Sequence, residues 1–333
     1  MLDLVRCMQY HVHFQNPPDP KELEYLKQHL DPSIRLTTGE VIPDPEDYRI
    51  LIAGRPKRAL LEASESLEAL IIPWAGIPPS TKELLKEYPH FGVHNLHYNA
   101  ISTAEFAMAL LLAAAKKLVP IDRSFREHDW TNRYLPNPSI LLKGKQALIL
   151  GYGEIGHRVG KMCLSFGMKV SAVRRSIDVR LTEGAVELYP MKEMMKVLAN
   201  ASILFVCLPE TSDTIGLIGK DELDRLPKGA ILVNIARGAI VQEKALYNAL
   251  STGKLAAAGL DVWYQYPENE EARSHTPPSA YPFHELDNVV MSPHRAGGWT
   301  ESDLGRMEHL ARLLNQAAAG ERMQNELNLD RGY

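Results

Sequence analysis

Three short stretches of this sequence carry residues that could do chemistry together. Asn234-Ile235-Ala236-Arg237-Gly238 sets an arginine between small residues after an apolar run. A guanidinium held there can bind a carboxylate and polarise a neighbouring carbonyl. Pro293-His294-Arg295-Ala296-Gly297-Gly298 sets a histidine after another apolar run. An imidazole titrates near neutrality, so it can give or take a proton. Gly151-Tyr152-Gly153-Glu154-Ile155-Gly156 is a G-x-G-x-x-G at the end of the run Ala147–Leu150. Taken singly, an arginine at such a place is more often a surface charge and a histidine more often structural, and a bare G-x-G-x-x-G is weak evidence until it is set between a strand and a helix, as here. Together they are far less expected by chance.

The glycines have separable roles. Gly151 permits the tight turn from strand to helix, Gly153 lets a pyrophosphate approach the backbone, and Gly156 lets helix and strand pack closely. The exposed N–H groups and the positive end of the helix dipole would then hold the anion. This points to a dinucleotide. The next strand ends in Val173-Arg174-Arg175-Ser176. A carboxylate at that place would accept from a ribose 2′-hydroxyl, whereas two guanidiniums and a hydroxyl suit a 2′-phosphate. NADP(H) is therefore expected, with NAD(H) as the alternative. The same residues also read as a solvated basic turn.

These groups need strand ends to present them. Strand candidates Ala147–Leu150, Lys169–Val173, Ile203–Cys207, Ala230–Asn234, Ala257–Asp261 and Val289–Met291 alternate with helices, among them His157–Phe166, Met191–Leu198 and Gln242–Ser251. That pattern describes a doubly wound parallel sheet. Residues 1–99 read as a smaller α/β unit without a phosphate fingerprint, with strands at Leu4–Tyr10, Arg49–Ala53, Leu70–Pro73 and Phe91–His94 and helices at Pro20–His29 and Ser80–Glu87. Trp74-Ala75-Gly76 follows its third strand, where backbone amides could hold a carboxylate; an ordinary βα turn with an aromatic lid fits as well. Ser80 with Glu83, and Ser102 with Glu105, read as capping boxes, the second opening a helix over Thr103–Leu118. The Ala-rich face of that helix suits a domain junction, a dimer interface or plain core packing. Asp122–Asn137 reads as a long ordered connection, Thr300–Ala319 as an amphipathic helix and Gly320–Tyr333 as a surface extension.

Bulk properties narrow the class. The chain has 333 residues, 45% hydrophobic and 23% charged, which suits about two globular domains. A net charge of −4 gives no reason to expect nucleic acid or an anionic membrane. Cys7, Cys163 and Cys207 are far apart, which fits free thiols in a reducing compartment, and no metal site is expected. The N-terminus lacks a basic segment leading into a long apolar one, and the longest apolar run, Phe106–Ala115, is too short to span a bilayer. A cytoplasmic location is the expectation.

With these motifs in view the chain resembles the D-2-hydroxyacid dehydrogenase family, over most of its length and most strongly from about Asn99 to Gly298. The resemblance rests on Asn99-Ala100 with Ala104-Glu105, the glycine turn, Asn234 to Gly238, Gly259-Leu260-Asp261-Val262 and Ser292-Pro293-His294. It implies a Rossmann cofactor domain, residues 100–298, inserted into a flavodoxin-like α/β substrate domain, residues 1–99 plus 299–333. It implies hinges near Asn99–Ser102 and Pro293–Gly298, an active site between the domains, and a homodimer formed through the cofactor domain. His294 matches the family's acid–base histidine, Arg237 its carboxylate-binding arginine, and Ala75 and Gly76 beside Trp74 its substrate loop. Asp261 matches the aspartate near the nicotinamide, and Pro209 and Thr214 lie in the segment lining the adenosine. Cofactor contacts are expected also from Glu154, Ile155, Leu208, Ile235, Ala236 and Gly297.

One position departs from the family. A glutamate usually stands five residues after the aspartate and pairs with the histidine; here that position is Tyr266. A carboxylate favours imidazolium, and a phenol does not, though its oxygen could orient the ring. The expected catalytic set is thus Arg237, His294 and Tyr266, with Glu268, Glu270 or Glu271 able to reach the histidine if the loop folds back. Formate dehydrogenases carry Gln at the departing position, but Gln265 is one place off. The resemblance implies hydride transfer between NADP(H) and a small 2-oxoacid, of the glyoxylate or hydroxypyruvate class given the absence of an appended regulatory domain. The alternative is a dinucleotide-sensing, corepressor-like binding protein with little turnover. Oxidation of another small anion such as formate or phosphite is a third reading.

Overall fold

The computed structural model describes residues 9–329 and divides into two compact units. One holds the described residues up to Asn99 together with those from Trp299 onward; the other is Ala100–Gly298.

In the first unit five parallel strands are ordered β2-β1-β3-β4-β5: β1 Tyr10–Phe14, β2 Ile34–Thr38, β3 Ile50–Ile52, β4 Ala69–Ile72 and β5 Gly92–Asn95. This is the flavodoxin-like order. Helices α1 (Pro20–His29), α2 (Arg58–Glu62) and α3 (Pro79–Leu85) connect them, and a C-terminal helix, Ser302–Ala318, packs on α1. Strand periodicity splits the core. Ala69 and Ile71 join the layer that includes the C-terminal helix, while Leu70 and Ile72 join the layer with Leu60 and Leu85. Fully buried, Leu70, Ile71 and Ile72 each contribute about 1.5–3 kcal/mol.

Several expected elements shift. Residues Leu4 to Met8 of the expected first strand lie outside the described residues, and the strand there runs Tyr10–Phe14. Strand β2 is an edge strand of alternating character, half-buried, so it lacks the continuous apolar run that marked its neighbours. Helix α3 begins at Pro79 with proline in its first turn, which puts Ser80 inside the helix instead of at its cap. The surface extension expected over Gly320–Tyr333 is described to residue 329, where it is exposed or half-buried and pairs with β5: Leu327 N–H donates to Val93 O at 2.7 Å, and Asn95 N–H to Asn325 O at 3.2 Å; its remainder lies outside the described residues.

The second unit contains an eight-stranded sheet ordered β13-β12-β11-β10-β6-β7-β9-β8. Its strands are β6 Gln146–Leu150, β7 Lys169–Arg174, β8 Leu181–Glu183, β9 Val186–Pro190, β10 Ile203–Val206, β11 Ala230–Asn234, β12 Leu255–Leu260 and β13 Val289–Met291. All pairs are parallel except β8 with β9. The strand order reverses around β6, which marks a doubly wound fold and its ligand-binding edge. Strands β8 and β9 escaped the sequence reading because β9 alternates buried and exposed residues and β8 is short and exposed.

The helices of this unit are α4 (Ala100–Lys116), α5 (Leu118–Arg126), α6 (Thr131–Tyr134), α7 (Glu154–Ser165), α8 (Met194–Leu198), α9 (Lys220–Arg225) and α10 (Glu243–Ser251). Helix α4 starts before the expected Thr103, so Ser102 makes no cap; its hydroxyl donates to Ala296 O at 2.9 Å. Of the Ala-rich face of α4, Ala107, Ala114 and Ala115 are buried in the core while Ala109 is exposed and Ala113 half-buried, and a Cβ on Gly259 of β12 would stand 2.7 Å from Leu110 Cβ. The connection expected over Asp122–Asn137 is partly helical, as α5 and α6, and neither helix buries a residue.

Candidate active site

The carboxyl ends of β6, β7, β10, β11, β12 and β13 carry nearly every residue that the sequence singled out in this unit. The glycine turn joins β6 to α7. Gly151 has φ +92°, and a Cβ there would come within 2.7 Å of Cys207 O. Gly156 packs the helix against the turn so closely that a Cβ would stand 2.0 Å from Gly151 O. Gly153 is the opposite case: it precedes the first helical residue, and nothing lies within 4 Å of its Cβ position. An open cradle at the N-terminus of a twelve-residue helix fits a pyrophosphate. Glu154 and Ile155 form the first turn of α7, with Glu154 paired to Arg158.

At the end of β7, Arg174 is exposed and forms no ion pair among the described residues. Arg175 instead reaches Asp213, with Nη1 at 3.4 Å from Oδ2, and Ser176 is exposed beside them. After β10, Leu208 is buried and Pro209 follows it. Thr214 closes this loop, donating from Oγ1 to Pro209 O at 2.7 Å and accepting from Thr211 N–H at 2.8 Å. Its hydroxyl therefore shapes the loop.

Arg237 follows β11 on a turn built by Asn234. The buried Asn234 amide donates to Arg237 O at 3.0 Å and accepts from Ala236 N–H at 3.1 Å. Ile235 and Ala236 are buried, whereas Arg237 is exposed, its Nη1 donating to Ala236 O at 2.7 Å. Gly238 brings the turn against the Trp263 backbone: a Cβ would lie 2.2 Å from Trp263 O. Trp263 in turn donates from Nε1 to Ser292 O at 2.8 Å, tying this turn to the one after β13.

His294 has φ +57°, a conformation uncommon for a residue with a side chain. Asp261 holds it there. His294 N–H donates to Asp261 O at 2.8 Å. Asp261 Oδ1 accepts from Ser292 Oγ at 2.7 Å and Arg295 N–H at 2.8 Å, and Oδ2 accepts from Ala296 N–H at 3.0 Å. The carboxylate expected beside the nicotinamide is thus buried and engaged in building the histidine turn, which ends at Gly297. Crowding around the ring, then the charge of Arg237, lower the His294 pKa from its ordinary value, against an opposing pull from Asp261. Tyr266 Oη lies 3.0 Å from His294 Nδ1. Partial burial raises the phenol's pKa, against the Trp263 N–H bond and the charge of Arg237. The carboxylates that could have replaced the missing glutamate do not reach the ring: Glu270 pairs with Arg273 at 2.6 Å, and Glu268 and Glu271 are exposed.

The profile of the family "D-isomer specific 2-hydroxyacid dehydrogenase, NAD binding domain" matches residues 108–296. The chain belongs to this family. Over 233 residues it is 38% identical to a D-3-phosphoglycerate dehydrogenase of Archaeoglobus fulgidus, covering 69% of the present chain and 41% of that protein. It is 28% identical over 302 residues to a hydroxypyruvate reductase of Thermotoga maritima, covering 88% and 93%. The chain therefore spans about half or less of several phosphoglycerate dehydrogenases it matches, between 41% and 54% of their length. In fold it is similar to a D-isomer specific 2-hydroxyacid dehydrogenase of Xanthobacter autotrophicus Py2, solved with NADPH and MES, with a TM-score of 0.79, 24% identity and coverage of 98% and 100%. Arg237, His294 and the glycine turn all lie at the carboxyl edge of the eight-stranded sheet, within the matched residues.

In the first unit the loop Trp74-Ala75-Gly76 follows β4. Asn95 Nδ2 donates to Ala75 O at 2.6 Å, and Leu96 N–H to Trp74 O at 3.3 Å, so the loop is fixed from the end of β5. The Trp74 ring lies over Gly54, where a Cβ would come within 1.9 Å of it. Ala75 is exposed.

Sequence reasoning treated Asn234, Gly238 and Ser292 as motif letters, and took Trp263 for an aromatic closing over the substrate, where the structure buries it. They are the scaffold of the site. A polar Asn at the end of an apolar run, three residues before the arginine, and a glycine directly after the arginine were the available signals.

Proposed function

We propose that this chain is an NADP(H)-dependent oxidoreductase that reduces a small 2-oxoacid of the glyoxylate or hydroxypyruvate class to its D-2-hydroxyacid, with NAD(H) as the alternative cofactor. The observation that carries the reading is that Arg237, His294 and an open dinucleotide turn stand at one edge of one sheet. The cofactor, when bound, supplies a hydride from its nicotinamide. Gly151, Gly153, Glu154, Ile155 and Gly156 would hold its pyrophosphate. Arg174, with Arg175 and Ser176, would hold a 2′-phosphate, and Leu208, Pro209, Thr214, Ile235, Ala236, Asp261 and Gly297 would line the remainder.

Arg237 binds the substrate carboxylate through its planar fork and draws electron density from the carbonyl. His294 delivers a proton to the carbonyl oxygen as carbon 2 becomes tetrahedral. Tyr266 orients the histidine. In the substrate unit we assign the amides of Ala75 and Gly76, beside Trp74, to the substrate carboxylate. The exposed side chains Leu118, Phe125, Trp130 and Tyr134 support a homodimer formed through the cofactor unit. A cytoplasmic location fits the reading, and no described helix is long and apolar enough to cross a membrane.

The test is NADPH and NADH oxidation with glyoxylate, hydroxypyruvate, pyruvate, larger 2-oxoacids and the phosphorylated oxoacid that corresponds to 3-phosphoglycerate, with chiral analysis of the product. Preferred turnover of a small unphosphorylated oxoacid to the D-alcohol supports the proposal. Preference for the phosphorylated acid overturns the substrate class.

A further inference from the structure

His294 lacks a carboxylate partner, and the hydrogen-bond geometry specifies what replaces it. Tyr266 Oη lies 3.0 Å from Nδ1, with the two rings 5.7 Å apart and inclined by 56°. On its other side Oη accepts from Trp263 N–H at 3.2 Å. Among the described residues Oη has no third partner. A phenol has one proton to donate. If Nδ1 carried the hydrogen, Oη would accept twice and its own proton would have to go to water, since no described side chain accepts it. If the phenol donates to Nδ1, every group is used, and the N–H···Oη bond polarises the O–H further.

The charged and titratable groups facing this pair are Arg237, Asp261 and Glu210. The Asp261 oxygens are engaged with the His294 turn. Crowding around the ring, and after it the charge of Arg237, disfavour imidazolium, so a neutral ring is the form at neutral pH, and the phenol keeps its proton.

Building on the function proposed above, we propose that Tyr266 is a positioning residue whose phenol donates to His294 Nδ1, fixes the imidazole as the Nε2–H tautomer, and restores a proton to the ring from water. As hydride reaches the carbonyl carbon, the C=O π pair becomes an alkoxide lone pair. The Nε2–H bond breaks and an O–H bond forms on the substrate. The phenol O–H breaks as Nδ1–H forms, and water protonates Oη, leaving hydroxide in solution. Once product has left, water protonates Nε2 and the hydroxide so formed takes the Nδ1 proton, which restores the Nε2–H tautomer. Tyr266 is 46% exposed, which gives water access to it. A neutral histidine thereby donates without passing through imidazolium, unlike one paired with a carboxylate.

Two readouts test this. Nitrogen-detected NMR of the cofactor-free protein reads the His294 tautomer without any turnover. Nε2–H is expected in the wild type, and a mixture of tautomers in Tyr266→Phe. Nδ1–H in the wild type, or no change in the variant, overturns the proposal, whether or not any oxoacid is reduced. The second readout is the pH profile of kcat/KM for reduction. The wild type should stay level through neutrality, whereas Tyr266→Phe should match it in acid and then fall about tenfold per pH unit once imidazolium is lost. Parallel profiles overturn the proposal. Tyr266→Glu, which accepts only when ionised, should move the proton to Nδ1 and introduce an alkaline fall; a level profile there also overturns it.

Discussion

Replacing Gly153 and Gly156 separately with alanine should divide the two jobs of the glycine turn. At Gly156 the new methyl would stand 2.0 Å from Gly151 O and 3.1 Å from both Gly151 C and Ile149 Cγ2. The nearest atom is backbone, so it cannot swing aside. Overpacking of this kind costs about 1–3 kcal/mol, against a gain of about 0.5–1 kcal/mol from replacing glycine within a helix. A net loss of roughly 1–2 kcal/mol is expected, together with a displaced turn and weakened NADPH binding. At Gly153 nothing lies within 4 Å and φ is −95°, which alanine adopts freely. Its stability should stay within about 0.5 kcal/mol of the wild type. The methyl would nevertheless occupy the approach of the pyrophosphate, so NADPH affinity should fall by about tenfold or more, equivalent to at least about 1.4 kcal/mol. Urea unfolding of the cofactor-free proteins gives the first quantity, and fluorescence titration with NADPH gives the second. Wild-type affinity in Gly153→Ala, or wild-type stability in Gly156→Ala, would refute the reasoning.

Other outcomes follow from single observations. Arg174→Asp should lower the kcat/KM ratio of NADPH to NADH by about tenfold or more, since it replaces the exposed guanidinium with a charge that repels a 2′-phosphate; an unchanged ratio would remove the basis for NADP(H). Arg237→Lys should cost about a hundredfold in kcat/KM for reduction, because an ammonium lacks the fork, while NADPH affinity is retained. For pH, His13 and His294 both have pKa values lowered from their ordinary 6.5, chiefly by burial or crowding. The unfolded chain then binds more protons in the window below about 6.5. Their contribution to stability is therefore full above that value and lost as pH falls through the folded values. The wild-type Tm should drop more between neutral and mildly acidic pH than that of His13→Gln with His294→Asn. Finally, Phe125→Glu with Trp130→Glu should convert a dimer to monomer in sedimentation analysis, with an unfolding midpoint that no longer rises with protein concentration, as neither side chain is buried within the chain.

Much of the fold was legible because buried parallel strands read as continuous apolar runs. Ala147–Leu150, Ile203–Cys207 and Ala230–Asn234 each announced themselves that way. Edge strands did not. Strand β2 is only half-buried and β9 alternates, so neither run stands out from a loop. The helix starts at Ala100 and Pro79 were misplaced because Ser102 and Ser80 look like caps, and only the tertiary partner of Ser102, the Ala296 carbonyl, explains its position. In the site, the residue types at 151, 153, 156, 237 and 294 pointed to their chemistry directly. Asp261 did not, since a carboxylate after a strand can face a ligand or build a turn, and its three donors from Ser292, Arg295 and Ala296 are visible only in three dimensions. The pairing of Tyr266 with His294 was foreshadowed by register, but its polarity depended on the Trp263 N–H.

The most direct measurement compares the wild type with His294→Asn in steady-state NADPH oxidation with glyoxylate and with hydroxypyruvate, alongside NADPH titration of both proteins. The account predicts turnover by the wild type, loss of at least about a hundredfold in the variant, and equal NADPH affinity for the two. Firm NADPH binding with no turnover of any oxoacid by the wild type would contradict it and indicate a chain that senses the dinucleotide instead of using it.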